Sequence, residues 1–264
     1  MFDPNFDDCR WQTAWMQAPL IQVMPGVYPT FRVTSWQLTE TTVCEQPVRF
    51  SEPVEVRGLI DSAGTLWMSD VPQERVMMYN NAQASRGDVL VGGLGLGIYP
   101  QYAAGHVSSI TVIERDAELA GVIGPTAAIA ADAAGISFEV RAGSVEDALS
   151  AEPTTHYDTI FLDTWHQLDP AGLPHINRLR DLAAGHLKPD GRILLWGYAW
   201  MVRLFMEACV QLLNTPPAQR RAMLDAAARS SDAAALLGPV VERYSGPVTD
   251  MEEALAWCQA YIVQ

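Results

Sequence analysis

The chain contains few positive charges, and this scarcity excludes several classes of function. Its 264 residues include 17 lysines and arginines against 31 aspartates and glutamates, which gives a formal net charge of −14. The single lysine, Lys188, lies far along the chain from the glycine-rich stretch of residues 92–97. A P-loop for nucleotide phosphates needs Gly-Lys followed by Ser or Thr, so it is excluded. A protein that binds a nucleic-acid backbone needs a basic surface, so no nucleic-acid partner is expected.

Other features are also missing. The chain has no run of 18 apolar residues, so we expect no membrane span. The acidic start, residues 1–4, lacks the basic and apolar regions of a signal peptide. The five histidines are scattered, and the few cysteines are too far apart to suggest a metal site. We therefore expect a cytoplasmic protein without metal and with reduced thiols at all four cysteines, which are Cys9, Cys44, Cys209 and Cys258.

The most informative stretch lies at residues 88–98, where an apolar run meets a series of glycines. Val89–Val91 is typical of a buried strand, and glycines follow at positions 92, 93, 95 and 97. Glycine allows a sharp turn and a close approach of the backbone to a ligand. A second apolar strand, Ile110–Ile113, ends in Glu114, which comes 21 residues after Gly93. An acid at this spacing is placed to accept hydrogen bonds from ribose hydroxyls.

The details of the glycine spacing restrict the kind of nucleotide site. A dinucleotide fingerprint has the pattern G-x-G-x-x-G. Counting from Gly93, the sixth position is Ile98, and counting from Gly92, the third is Leu94, so neither start fits. The pattern that remains is G-x-G-x-G with an acid at the end of the next strand. A tight turn between strand and helix without any ligand is the alternative interpretation.

This pattern resembles the S-adenosylmethionine (SAM) site of class I methyltransferases. Three later segments occur in the order and spacing of that family: residues 141–147 after a strand, residues 157–163 as a strand ending in an acid, and residues 186–195 with Pro189 and Gly191 before a strand. The resemblance implies SAM as the cofactor and S-adenosylhomocysteine as its product. It also implies that the cofactor is bound by Gly92, Gly93, Leu94, Gly95, Gly97, Glu114, Arg115, Gly143, Ser144, Val145 and Asp163.

A narrower resemblance extends upstream, over about residues 55 to 197. The segment from Leu66 to Glu74 is similar to spermidine-synthase-like proteins, in which a small β domain leads into the SAM-type fold. Two departures argue against polyamine synthesis. Residues 92–97 differ from the family's G-G-G-D-G-G loop, and His166 stands where the family has a second acid after Asp163. Methyl transfer is therefore favoured over aminopropyl transfer.

The pattern along the chain predicts an α/β protein with a doubly wound parallel sheet of the class I SAM-binding, Rossmann-like kind. We expect a small β-rich region over residues 1–70, with strands at 31–36 and 54–60 and a turn at 61–64. The SAM-binding domain is expected over residues 71–197. A mostly helical extension over residues 198–264 should complete or cap it, with residues 240–244 able to form one strand and a helix-capping sequence at 249–253.

Candidate catalytic residues follow the fourth strand of this pattern. Asp163 ends the strand, and His166 comes three residues later. Histidine changes charge near neutral pH, which suits a general base, although a surface or capping role is equally expected. Asp163 can orient the acceptor, or it can cap a turn. Candidate substrate contacts, each of which has a packing or solvated alternative, are Asp70, Glu74, Trp165 and Tyr198.

Three functions remain open. The first is a SAM-dependent methyltransferase for a small-molecule or peptide acceptor. The second is another SAM-using reaction, such as aminopropyl or aminocarboxypropyl transfer or a cyclisation. The third is a non-catalytic SAM-fold protein whose helical tail binds a partner. The tryptophan-rich N-terminal region and the apolar tail exceed what a minimal SAM domain needs, and we expect a homo-oligomer, most simply a dimer.

Overall fold

A computed structural model describes residues 11–17, 19, 21, 23–229 and 231–264. The chain divides into two compact units. The sheet unit contains the described residues up to His166 together with Leu182–Trp196, and the helical unit contains Gln167–Asp181 and Gly197–Gln264.

A four-stranded antiparallel sheet opens the sheet unit, in the order β1-β2-β3-β4. Its central hairpin has a two-residue turn, Cys44-Glu45, in which both residues have positive φ. This backbone follows the right-handed twist of the two long strands. The turn predicted at residues 61–64 is confirmed, since Asp61 Oδ1 accepts from the Thr65 backbone N–H at 2.7 Å. The elements are α1 (Trp11–Met16), β1 (Gly26–Val27), β2 (Phe31–Val43), β3 (Gln46–Asp61) and β4 (Leu66–Ser69).

A buried ion pair joins this small sheet to the next helix, α2 (Pro72–Ala84). The Arg75 guanidinium donates to Asp70 Oδ2 at 2.7 Å and to the Asp70 carbonyl at 2.8 Å. Both side chains are almost fully buried. The Arg75 guanidinium also lies 4.7 Å from the ring centre of Trp15. Because an unpaired buried charge is costly, Asp70 and Arg75 must stay together in the folded protein. Their ion pair therefore fixes the position at which the chain enters α2.

The second sheet is parallel and five-stranded, in the order β7-β6-β5-β8-β9. β5 pairs with β6 on one side and with β8 on the other, so the strand order reverses at β5. Right-handed crossovers on the two sides of this point place helices on both faces. The predicted doubly wound α/β fold is confirmed. The elements are β5 (Asp88–Gly92), α3 (Ile98–Ala103), β6 (Ser109–Glu114), α4 (Ala117–Ala134), β7 (Ser137–Ala142), α5 (Val145–Ser150), β8 (Tyr157–Leu162) and β9 (Leu187–Leu195).

The single lysine lies at the end of this sheet where β5 and β8 begin. Lys188 Nζ donates to Asp88 Oδ2 at 2.5 Å and to Asp158 Oδ2 at 2.7 Å. These bonds lower the pKa of both carboxyls and raise that of the lysine. The lysine thus joins the first residue of β5 and the second residue of β8 to the start of β9.

The helical unit contains two 3₁₀ turns, Pro170–Gly172 and Asp232–Leu237, and several helices. Asp250 caps the last helix by accepting from the Glu253 backbone N–H at 3.0 Å, which confirms the capping sequence. The strand considered at residues 240–244 is wrong. Residues 240–243 instead belong to a helix that begins after Leu237, in which Pro239 suits the first turn and Val240 and Val241 are buried. The helices are α6 (Leu173–Ala184, whose last turn belongs to the sheet unit), α7 (Tyr198–Asn214), α8 (Pro217–Ala227), α9 (Gly238–Arg243) and α10 (Met251–Ile262).

The cysteines do not all match the expectation of reduced thiols. Cys44 is disulfide-bonded, so the prediction is wrong at that position. Cys209 and Cys258 are free, as expected, and both are buried. Cys9 lies outside the described residues. None of the helices in the described part of the chain is long and apolar enough to cross a membrane.

Candidate functional site

The glycine turn follows β5 at the point where the strand order reverses, which is where open α/β sheets bind ligands. Gly93, Gly95 and Gly97 have φ angles of 90°, 52° and 71°, a conformation that side chains with a Cβ rarely adopt. A Cβ on Gly93 would lie 2.2 Å from the backbone oxygen of Asp163. The turn therefore requires glycine at this position both for its backbone angle and for its contact with the end of β8.

Glu114, at the end of β6, is joined directly to this turn. Its Oε2 accepts from the Leu94 backbone N–H at 2.8 Å, and its Oε1 accepts from the Asp116 backbone N–H at 2.8 Å. The residue is 8% exposed. Loss of hydration raises the pKa of Glu114, although the two backbone donors oppose the shift. Each carboxylate oxygen can accept two hydrogen bonds, so one acceptor position remains on each oxygen.

Met68 of β4 also contacts the turn, although no sequence motif marks it as a site residue. Its sulfur accepts from the Leu96 backbone N–H at 3.2 Å. A Cβ on Gly95 would lie 2.3 Å from the same sulfur. Sulfur is a weak acceptor, so packing against the glycine rather than the hydrogen bond dominates this contact. Because this pairing of a strand with a distant turn is a tertiary contact, no local sequence pattern could have revealed it.

Asp163 follows β8, beside the end of β5. Its backbone N–H donates to the Gly92 carbonyl at 2.9 Å, which continues the parallel pairing of the two strands. The side chain is half-buried. Loss of hydration, with a smaller contribution from the charge of Glu114, raises the pKa of Asp163 to about 8. Asp163 therefore lies close enough to Glu114 for the charge of Glu114 to disfavour ionisation of Asp163.

Glu74 brings a third carboxyl to this position from α2. Its pKa is raised well above the ordinary value, mainly by loss of hydration and next by the charge of Asp163. The indole N–H of Trp196, directly after β9, faces this carboxyl and lowers its pKa. The indole N–H does not reach the Glu74 carboxyl with normal hydrogen-bond geometry, and the indole nitrogen is buried without a hydrogen-bond partner. Glu74 thus interacts electrostatically with Asp163 and Trp196, and Asp163 with Glu114; we call these four residues the carboxyl cluster.

The raised pKa of Asp163 predicts a pH dependence of stability. Between about pH 4, where an unfolded aspartate loses its proton, and about pH 8, the folded chain holds a proton that the unfolded chain has released. The folded state binds more protons over this range, so its stability falls as the pH rises. In urea unfolding, we expect the free energy of unfolding to fall less between pH 5 and pH 8 for Asp163→Asn than for the wild type. Glu152 is exposed, so Glu152→Gln is the control and should behave as the wild type does. An equal loss of stability in all three proteins would contradict the prediction.

The loop after β7 lies next to β6. The Gly143 backbone N–H donates to the Glu114 carbonyl at 2.8 Å, and a Cβ on Gly143 would meet no atom within 4 Å. Ser144 caps α5 through a 3.4 Å bond from the Asp147 backbone N–H, while Val145 is buried. Arg115 is exposed. The geometry leaves open space beside Gly143 and gives Ser144 the role of a helix cap.

The other candidate residues lie in varied environments. The Trp165 indole N–H donates to the Trp196 carbonyl at 3.1 Å, which places Trp165 beside the carboxyl cluster. His166 is exposed, and no hydrogen bond joins it to Asp163, both side chains being among those described. Tyr198 belongs to the helical unit, where its hydroxyl donates to Asn177 Oδ1 at 2.6 Å. Asp70 is occupied by its ion pair with Arg75, as described above.

No protein-family model matches the chain, and no curated protein matches it. Solved structures do match in part. A SAM-dependent methyltransferase from Thiobacillus denitrificans, in complex with S-adenosyl-L-homocysteine, is 22% identical over 45% of this chain and 46% of its own, with a TM-score of 0.32. The O-methyltransferase TomG from Streptomyces achromogenes, in complex with SAM, is 18% identical over 47% of this chain and 61% of its own, with a TM-score of 0.33.

A third match is a precorrin 8w decarboxylase from Methanobacterium thermoautotrophicum. It is 22% identical over 43% of this chain and 56% of its own, with a TM-score of 0.30. The chain therefore spans about half the length of the solved structures it matches. Scores of this size describe a partial resemblance and assign no activity to this chain.

Proposed function

We propose that this chain is a SAM-dependent methyltransferase that acts on a small-molecule or peptide acceptor. The observation that carries the proposal is the 2.8 Å bond from the Leu94 N–H to Glu114, which joins the acid after β6 to the glycine turn after β5. In a doubly wound sheet this is the position at which a nucleoside binds. A simple connecting turn does not require a nearly buried acid, because burying a carboxyl costs free energy.

The residues present fit the cofactor. Glu114 keeps one free acceptor position on each oxygen, which suits the two neighbouring hydroxyls of a ribose. The glycines after β5 expose backbone at close range, and the open space beside Gly143 is available to the adenine. SAM supplies an activated methyl group on a positively charged sulfur. The chain's own contribution is to align the acceptor with that methyl group and to exclude water.

Among the candidate catalytic residues, Asp163 has the stronger position. It lies at the point where the strand order reverses and is coupled to Glu114, whereas His166 is exposed. We therefore assign the contact with the acceptor to Asp163. We assign His166 a smaller role in turnover. We also assign Trp165 to the lining of this region, because its indole N–H donates to the Trp196 carbonyl. The dimer expected from the sequence stays a prediction.

Glu114→Gln provides the direct test of the cofactor site. The change keeps the shape of the side chain but replaces one oxygen by a donor, so one ribose hydroxyl loses its acceptor. We expect the affinity for S-adenosylhomocysteine to fall by about 1.5–3 kcal/mol, the usual contribution of a hydrogen bond to a charged group. Calorimetric titration measures this.

The exposed variant Glu152→Gln is the control and should bind as the wild type does. Equal affinity in Glu114→Gln and the wild type would remove Glu114 from the ribose site. A wild-type protein that binds neither SAM nor S-adenosylhomocysteine would overturn the proposed function. Product mass then distinguishes methyl transfer from aminopropyl or aminocarboxypropyl transfer.

A further inference from the structure

The helical unit contains two cysteines on neighbouring helices, Cys209 of α7 and Cys258 of α10. Both are free, and both are fully buried, with a relative exposure of 0% each. On each helix the cysteine belongs to a stripe of buried residues spaced three or four apart, which is the face that a helix packs against its neighbours. The stripes are Met201, Phe205, Cys209 and Leu212 on α7, and Ala254, Cys258 and Ile262 on α10.

Helices α7 and α10 pack against each other in opposite directions. The Tyr198 hydroxyl, at the start of α7, donates to Asn177 Oδ1 at 2.6 Å. The side-chain amide of the same Asn177 donates to the Ile262 carbonyl, at the end of α10, at 2.8 Å. Arg180 repeats this connection, because its Nη1 donates to the Tyr198 hydroxyl at 3.4 Å and to the Val263 carbonyl at 2.8 Å. The start of α7 therefore lies beside the end of α10, so the two helices are antiparallel.

This arrangement places the two thiols in the same layer of the helix pair. The rings of Phe205 and Tyr261 lie 6.2 Å apart between their centres. Cys209 comes about one turn after Phe205, and Cys258 about one turn before Tyr261, so the antiparallel helices bring the cysteines together in the next layer. The Cys209 S–H donates a hydrogen bond to the Cys258 sulfur, which raises the pKa of Cys209 and lowers the pKa of Cys258.

The spacing of packed helices allows a disulfide between thiols that face each other. Helix axes in contact lie about 8–10 Å apart, and each Cα lies about 2.3 Å from its own axis. Facing Cα atoms are therefore about 3.5–5.5 Å apart, a range that overlaps the distance of roughly 4.4–6.8 Å that a disulfide requires. The chain also contains a disulfide at Cys44, so cysteine oxidation already occurs in this protein.

We propose that Cys209 and Cys258 are a redox-active pair, which closes a disulfide between α7 and α10 when a peroxide oxidises it. The sulfur of Cys258 attacks one peroxide oxygen, the O–O bond breaks, and the thiol proton leaves with the other oxygen as water. The sulfur of Cys209 then attacks the resulting sulfenic acid. The S–S bond forms, the S–O bond breaks, and the departing oxygen leaves with the Cys209 proton as a second water. Two thiols are thus oxidised while one peroxide is reduced to two waters.

Cys258 reacts first because it accepts the hydrogen bond, which makes its thiolate the more stable of the two, and the thiolate is the nucleophilic form of cysteine. The bond involves none of the residues assigned to the cofactor or the acceptor. It is therefore testable whether or not the protein binds SAM.

Peptide analysis of the full-length wild type tests the bond directly. The folded protein is treated with hydrogen peroxide, then unfolded, alkylated and cleaved with trypsin without reductant. Trypsin cuts after arginine and lysine, so Cys209 lies in the peptide of residues 204–220, Cys258 in that of residues 244–264, and Cys44 in that of residues 33–49. We expect the first two peptides to be linked, in a protein with the mass of a single chain, and dithiothreitol to separate them. Two alkylated thiols in place of the link, or separate sulfinic acids at the two positions, would overturn the proposal.

The bond should also stabilise the helical unit, because it closes the loop of residues 209–258 in the unfolded chain. We expect oxidation to lower the equilibrium constant for opening of α10 by about 30- to 700-fold, measured by hydrogen exchange of its buried amides. Cys209→Ala and Cys258→Ala should each show neither the link nor the slower exchange. Val210→Ala, a change at the neighbouring and partly exposed position, should keep both. Equal exchange before and after the link forms would contradict the stabilising role. Since the peptide analysis uses the wild type alone, it holds even if a cysteine variant does not fold.

Discussion

Replacing Gly93 by alanine is expected to abolish cofactor binding and to destabilise the sheet unit. The new Cβ would lie 2.2 Å from the Asp163 backbone oxygen, and the φ angle of 90° is one that alanine rarely adopts. Backbone strain of this kind costs about 1–3 kcal/mol. Overpacking in a well-packed site costs a further amount of about 1–3 kcal/mol. Because the neighbour is backbone of β8 rather than a flexible side chain, relief requires separating β5 from β8.

Urea unfolding and calorimetric titration with S-adenosylhomocysteine measure the two effects. Gly121→Ala is the matched control. Gly121 lies within α4, and a Cβ there would meet no atom within 4 Å, so alanine should leave the protein as stable as the wild type or slightly more so. A Gly93→Ala protein with unchanged unfolding and binding would show that the turn tolerates a side chain, which is incompatible with the close approach of β5 and β8.

Asp163→Asn is expected to have the largest effect on turnover. Asparagine keeps the size and hydrogen-bonding shape of the side chain but cannot take up a proton. If Asp163 accepts the proton of the acceptor, the rate of methyl transfer should fall by about 10²- to 10⁴-fold, the usual contribution of a general base. Binding of S-adenosylhomocysteine should be largely retained. Isotopically labelled SAM with a panel of amine, alcohol and carboxylate acceptors measures the rate.

His166→Ala is the informative comparison, because His166 is exposed and does not bond to Asp163. We expect it to lower turnover less than Asp163→Asn does. A larger loss in His166→Ala, together with near-normal turnover in Asp163→Asn, would transfer the role of base to the histidine. A product heavier by an aminopropyl or aminocarboxypropyl group would overturn methyl transfer itself.

The elements around the glycine turn were predictable because their signals are local. The apolar run before Gly92, the spacing to Glu114 and the acid after β8 each belong to one strand and its end. Parallel strands then bring their carboxyl ends together by topology alone. For this reason the meeting of Glu114 with Leu94, and of Asp163 with Gly93, follows from correct placement of three strands.

Residues that depend on tertiary packing were not predictable. The sequence shows Glu74 in a helix and Trp196 after a strand, but not that these two side chains face each other. The sulfur of Met68 contacts Gly95 because β4 passes the turn, which no periodicity in either segment indicates. In residues 240–244, the two valines favour a strand locally, yet burial of both from one helical face overrides that preference.

The ion pairs that Lys188 forms with Asp88 and Asp158 have a practical consequence for experiments in solution. Since this is the chain's single lysine, reagents that target ε-amines will attach one side-chain label, at the start of β9. That position lies at the end of the parallel sheet where β5 and β8 begin, whereas the glycine turn and Asp163 follow the opposite ends of those strands. A fluorophore or a surface tether placed there would lie away from the carboxyl cluster. Its amine should react more slowly than that of an unpaired surface lysine, because Asp158 and Asp88 raise its pKa.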